Sequence, residues 1–263
     1  MKAYKLMALF LLPAALWGCS DGRDALPQDG KAKLLIENCS SEGTDGEPTP
    51  VRDFGMVLLD EQDGGYAGVP NPLHVTYGDG WTFPEVTLTE KVCRLFAFSP
   101  FRDIPGKELP VSLNPQTDYL ASGETRLDWQ NRSADIGMGH LLCLLEFTVD
   151  GSGACSLLAE GIPTEGTYDL TTGELSADPL KGDVSSASNT LLLFPGSTGG
   201  NRIVISFGER TYDWYLPAGT FEPGKRYGYA LSPSKEGTLI LSGVSVRPWV
   251  SGGDYTGSIK PNE

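Results

Sequence analysis

Ile136-Gly137-Met138-Gly139-His140-Leu141-Leu142-Cys143-Leu144-Leu145-Glu146-Phe147-Thr148-Val149 is the longest apolar run in the body of the chain. Its leucines alone permit a buried helix, because a continuous apolar run is ambiguous between helix and strand. The ending Glu146-Phe147-Thr148-Val149, closed by Asp150-Gly151, tips the reading to strand. The surroundings agree. The 33 glycines and 19 prolines punctuate many short apolar runs, and no convincing amphipathic helix follows the N-terminal leader. Many short strands with turns every eight to twelve residues or so describe an all-β protein built of sandwiches.

Working outward, Lys33–Cys39 and Phe54–Leu59 read as strands, separated by an acidic, Gly- and Pro-containing loop that ends in Val51-Arg52-Asp53. Leu73–Tyr77 alternates and turns at Gly78-Asp79-Gly80; Trp81–Thr89 alternates again; Val92–Phe98 is stopped by Pro100. The polar stretch Ser122–Asp135 has no clear period and takes the domain boundary, so the expected units are 32–124 and 125–250, with a polar tail at 251–263. In the second unit the strands include Leu191–Phe194, Ile203–Phe207, Tyr212–Leu216, Tyr227–Leu231 and Leu239–Leu241, and Val244–Val250 closes it.

The N-terminus carries Lys2 and Lys5, an apolar segment Leu6–Leu16, and Leu16-Trp17-Gly18-Cys19. A basic start, an apolar run too short to span a bilayer comfortably and a small residue before the cut describe a secretory signal; the cysteine at the cut makes it a lipoprotein signal. Residues 1–18 are then the signal peptide, Cys19 is the lipidated N-terminus, and 19–31 is a polar tether. The chain is thereby expected to act outside the cytoplasm, on a lipid tether.

The 263-residue chain has 20 basic and 34 acidic residues; loss of Lys2 and Lys5 leaves 18 against 34, a net charge of −16. Such a surface repels nucleic acid. Cys39, Cys93, Cys143 and Cys155 form no C-x-x-C pair, which removes support for a zinc or redox site. Cys93 and Cys143, inside apolar runs, read as free buried thiols; Cys39 and Cys155, near turns, stay unassigned.

Only two histidines are present, and neither a Gly-x-Ser-x-Gly elbow nor a His-Glu-x-x-His motif occurs. His140 reads as a hydrogen-bonded packing residue and His74 as a strand residue near a turn. Gly219–Lys225 has the spacing of a phosphate-binding loop, but Arg226 stands where Ser or Thr is needed, Pro223 lacks an N–H, and a strand follows where a helix should. Asp60-Glu61-Gln62-Asp63-Gly64 lacks calcium-loop spacing and reads as a solvated acidic turn. No catalytic, cofactor-binding or metal-ligating residue is expected, and the chain is read as non-enzymatic. Trp129, an aromatic in a polar stretch, is the candidate ligand contact.

Several segments, in order, resemble the fimbrillin (Mfa-like) family of Bacteroidota. Trp81–Pro100 and Gln116–Ala121 look like parts of its N-terminal domain; Gly139–Leu142 with Leu145–Val149 looks like the first strand of its second domain; Tyr168–Gly173 and Pro223–Trp249 fit the remainder. Met138 and Leu144 depart from the pattern and predict an unusually apolar exposed face on that strand. The resemblance implies two transthyretin-like, Greek-key β-sandwich domains in tandem and a type V pilus subunit exported as a lipoprotein. It implies assembly by donor-strand exchange with other fimbrial subunits, after a trypsin-like protease removes the first strand. Here that strand is Lys33–Cys39 and the cut follows Arg52. Ser20-Asp21 resembles the surface-export signal of these bacteria. The tail Gly252–Ile259 alternates poorly and has three glycines, which favours a tip or accessory subunit over a strand donor. The alternative is a surface lipoprotein that binds a glycan or host protein without polymerising.

Overall fold

The structure, a computed structural model, describes residues 29–42, 47–149, 155–197, 199–235 and 238–249. It is all-β. The first strands are β1 (Ala32–Lys33), β2 (Leu35–Ser41), β3 (Thr49–Pro50), β4 (Asp53–Leu59), β5 (Leu73–Tyr77) and β6 (Trp81–Thr82). They are followed by β7 (Thr87–Leu88), β8 (Cys93–Ser99), β9 (Glu108–Ser112), β10 (Leu120–Ser122), β11 (Thr125–Leu127) and β12 (Ser133–His140). The remainder supplies β13 (Cys143–Val149), β14 (Ser156–Pro163), β15 (Glu165–Asp169), β16 (Glu174–Ala177), β17 (Lys181–Ser186) and β18 (Thr190–Leu193). Last come β19 (Gly196–Ser197), β20 (Arg202–Phe207), β21 (Arg210–Tyr215), β22 (Thr220–Phe221), β23 (Lys225–Pro233) and β24 (Leu239–Pro248).

The largest sheet runs β3-β2-β12-β10-β8-β4-β5-β6, with β11 also on β8. Two four-stranded sheets, β18-β13-β23-β24 and β17-β14-β20-β21, hold most of the second half. A three-stranded sheet, β16-β15-β9, joins the halves, because β9 precedes residue 124 while β15 and β16 follow it. In the opposite direction β12, from beyond residue 124, joins the first sheet between β2 and β10.

The run 136–149 is thus two strands in two sheets. It alternates through β12, where Ala134, Ile136, Met138 and His140 face inward and Gly137 and Gly139 outward. It then turns through the buried Leu141 and Leu142 into β13. The expected apolar outer face does not form: the inward phase of β12 places Met138, 4% exposed, in the core with Ala134 and Ile136. Leu144 is half-buried against the second core. Trp81–Thr89 is not one strand either. Only β6 and β7 survive around Pro84, whose missing N–H cannot serve a ladder.

Two hydrophobic cores result. Phe54, Met56 and Leu58 of β4 enter one, with Leu95 and Ala97 of β8; Val57, Leu59, Phe96 and Phe98 enter the other. The continuous apolar spelling of β4 and β8 reflects this burial on both faces, as in any sheet covered on two sides. The second core continues through Leu109, Val111 and Tyr119 into Leu145, Phe147, Ile203 and Trp214 of the later sheets. All four described cysteines are buried and free. Burial pushes the Cys39, Cys93 and Cys143 thiols up to about 12. Among the described residues no helix is long and apolar enough to cross a membrane.

Candidate functional site

The N-terminal strands lie at one margin of the large sheet. β2 runs parallel to β12, with Leu35 opposite Ser133 and Cys39 opposite Ile136, and the register shifts once between Ala134 and Asp135. The Leu35 N–H reaches the Arg132 carbonyl at 2.9 Å. Among the described residues, the outer side of β2 meets only β3, through Ser40–Pro50 and Ser41–Thr49. Next to it β1 pairs with β7. Inward-facing Ala32, Leu34, Ile36, Cys39 and Val51 are each less than 9% exposed. Leu34, Ile36, Cys39 and Val51 pack in the first core.

Arg52 is the sole basic residue between Lys33 and Lys91. It is exposed, and it joins β3 to β4. Its carbonyl accepts the Tyr77 N–H at 2.8 Å, and its guanidinium carbon lies 5.5 Å from the centre of the Tyr77 ring. The preceding Val51 N–H donates to the Cys39 carbonyl at 2.9 Å. The following Asp53 pairs with Thr76 in the β4–β5 ladder. The Asp53 carboxylate is 3.0 Å from His74 Nε2, and its carbonyl accepts the Ser99 hydroxyl at 3.0 Å. The His74 ring stacks on Phe101 at 4.1 Å. Sequence reasoning found Arg52 but not Tyr77, His74 and Ser99 around it. Tyr77 was legible as the end of an alternating strand; that it lands on Arg52 depends on the β4–β5 register.

The other expected sites lie elsewhere. Cys19, Ser20 and Asp21 are outside the described residues, as is the tail from residue 250 onward. Trp129 is half-buried in the turn between β11 and β12. Its N–H donates to the Thr89 carbonyl at 3.0 Å, and the Asp128 carboxylate accepts the N–H groups of Gln130 and Asn131. His140 is the packing residue expected: buried, 2.9 Å from the Asp118 carboxylate through Nδ1, and stacked on Trp249 at 3.9 Å. A cavity of about 320 Å³ opens beside it, lined by Ala121, Leu141, Tyr168, Leu175 and Pro223 among others. Lys225 opens a strand and not a helix, so the rejected phosphate loop has no helix N-terminus to use. The Asp60 carboxylate accepts the N–H groups of Gln62 and Gly64 within its own turn.

Residues 83–249, more than half of the chain, match the model of the fimbrillin-like family. The chain belongs to the fimbrillin-like family. Solved structures share its fold at low identity. A Bacteroides uniformis protein assigned to cell adhesion is 16% identical, with a TM-score of 0.66 over 84% of this chain and all of that one. A Bacteroides ovatus protein assigned to cell adhesion is also 16% identical, with a TM-score of 0.61 over the same shares. A fimbrial protein of Bacteroides vulgatus is 10% identical, with a TM-score of 0.56 over 83% of this chain and 99% of that one. No curated protein matches the chain.

Proposed function

We propose that this fimbrillin-like chain is a non-enzymatic subunit of a cell-surface fimbria, assembled by strand exchange after proteolytic loss of its first strands. The reading takes 1–18 as a signal peptide, Cys19 as a lipidated outer-membrane anchor after Ser20-Asp21-directed export, and 32–124 and 125–250 as two transthyretin-like sandwich domains. It agrees with the fimbrial and cell-adhesion roles assigned to proteins of the same fold.

The observation that carries it is the position of β2. One cut after Arg52 releases β1, β2 and β3 together, because all three precede it. β12 then becomes the sheet edge, with its backbone groups unpaired along six positions. The sites of Leu34, Ile36 and Val51 empty as well. At about 1.5–3 kcal/mol per buried aliphatic side chain, those three alone return on the order of 5–9 kcal/mol to any strand that refills them. An unpaired edge beside vacated apolar sites is the condition for strand addition.

The test uses the full mature chain, residues 19–263, with a trypsin-like protease. A new N-terminus at Asp53 and a shift to oligomers on gel filtration are expected. A monomer that has lost residues up to Arg52, or a chain never cut there, defeats the reading. The second outcome favours a lipoprotein that binds a glycan or host protein, for which Trp129→Ala on a glycan array is the check. A Cys19→Ala chain is expected to leave the membrane fraction.

A further inference from the structure

We propose that the Arg52–Asp53 bond is latched shut in the folded chain by strand β5, so that β2 is released only after the β4–β5 corner opens. This deepens the strand-exchange reading and rests on it.

A serine protease binds its substrate as an extended segment, with the backbone free on both sides of the cut and the basic side chain inserted into a pocket. Cleavage of a folded chain therefore follows the population in which that segment has opened locally. The segment from Val51 to Phe54 is extended, but neither its backbone nor its basic side chain is free. The Val51 N–H is used by Cys39 and the Arg52 carbonyl by Tyr77; Asp53 is already in the ladder opposite Thr76. Val51 is 8% exposed and Phe54 fully buried, so the flanking side chains anchor the backbone. The Arg52 head group lies over the Tyr77 ring, and the Asp53 carboxylate is held by His74. Both clasping residues, His74 and Tyr77, come from β5. No other Lys or Arg between residues 34 and 90 offers a way around the latch.

Tyr77 is 40% exposed and His74 is also exposed, so replacing them removes contacts to the junction without opening a core. The experiment follows trypsin cleavage of the full mature chain over time by intact mass. Wild type, Tyr77→Phe, Tyr77→Ala and the double variant His74→Ala/Tyr77→Ala are compared. Loss of residues up to Arg52 is expected to run about threefold faster in Tyr77→Ala, where the cation–π contact is gone. In the double variant, which also loses the Asp53 pairing, it is expected to run roughly tenfold faster. Tyr77→Phe keeps the ring and the N–H and stays at the wild-type rate. Cutting at Lys181, exposed at the start of β17, stays constant across the set. Equal Arg52 cleavage in all four proteins overturns the latch, and so does a parallel rise at Lys181, which marks general loosening. The two ideas separate cleanly. A double variant cut rapidly at Arg52 that stays monomeric keeps the latch and removes the assembly reading. A wild type cut at once that then assembles does the reverse.

Discussion

Gly55 lies opposite Phe98 across the β4–β8 ladder, and a Cβ added there meets the Phe98 ring carbons at 2.2–2.7 Å. Phe98 is fully buried in the second core, so its ring can yield only by disturbing the side chains packed around it. Gly55→Ala is therefore expected to destabilise the fold by about 1–3 kcal/mol, read as a lower urea midpoint with unchanged slope. Cys39 offers a second single-residue readout. It is 1% exposed, it sits in β2, and burial has pushed its thiol up to about 12, helped by the charge of Asp135. The thiolate is the reactive form, so the native chain is expected to resist alkylation near pH 8. Departure of β2 returns Cys39 to water and an ordinary thiol; its labelling rate, measured by mass, then reports strand release directly. Persistent rapid labelling of Cys39 in the intact chain contradicts the packing described.

At the scale of elements, an ion-pair chain ties β8 and β11 to the β9–β15 sheet. Arg94 and Lys107 both donate to the Asp63 carboxylate; Arg94 Nε reaches Glu124 at 2.8 Å, and Lys107 lies 3.7 Å from Asp169. Lys107, then Arg94, hold the Asp63 carboxyl below its ordinary 3.8. Partial burial pushes Glu124 up, but hydrogen bonds from Arg94 and Arg126 outweigh it and leave the group below its ordinary 4.5. Asp169 behaves likewise: burial is outweighed by the Thr171 hydroxyl and the N–H groups of Thr171 and Thr172. A carboxylate depressed in the folded state binds fewer protons there than in the unfolded chain. Its contribution is complete above the unfolded values and is lost as pH falls through the folded ones. Thermal midpoints are expected to be flat from pH 7 to about 5 with respect to these groups and to fall below about pH 4. Arg94→Ala is expected to shrink that acid-side loss. These groups are all partly open to solvent, so the effect is modest and weakens in salt.

For the whole molecule, strand exchange across residue 124 binds the halves. A fragment 29–124 lacks β12, which pairs with the inner side of β2, and it strands β9 without β15. The apolar faces of β4 and β8 that meet the second core are also bared. Such a fragment is expected to be unfolded or aggregated by circular dichroism and gel filtration, while the full chain unfolds in one transition. A fragment 29–124 with dispersed NMR signals contradicts this. Composition and turn density made the all-β class legible, and the local spelling of Leu73–Tyr77, Val92–Phe98 and Tyr227–Leu231 falls on strands that form within a residue or two. The break at Leu141-Leu142 was not legible, because an apolar run carries no mark of where it changes sheets.

By itself the sequence determined the strand content, the buried thiols at Cys93 and Cys143, the packing role of His140, the lone Arg52 between Lys33 and Lys91 and the resemblance to fimbrillins. These follow from composition, short-range pattern and position, which are local properties. Only the tertiary structure decided that β12 crosses back to hold β2, that β9 crosses forward to β15, that Met138 faces inward, and that Tyr77 and His74 close over the Arg52 junction. Each of those depends on which strands pair and in what register. Register is set by long-range burial of whole faces, and a shift of one residue reverses every side chain on a strand.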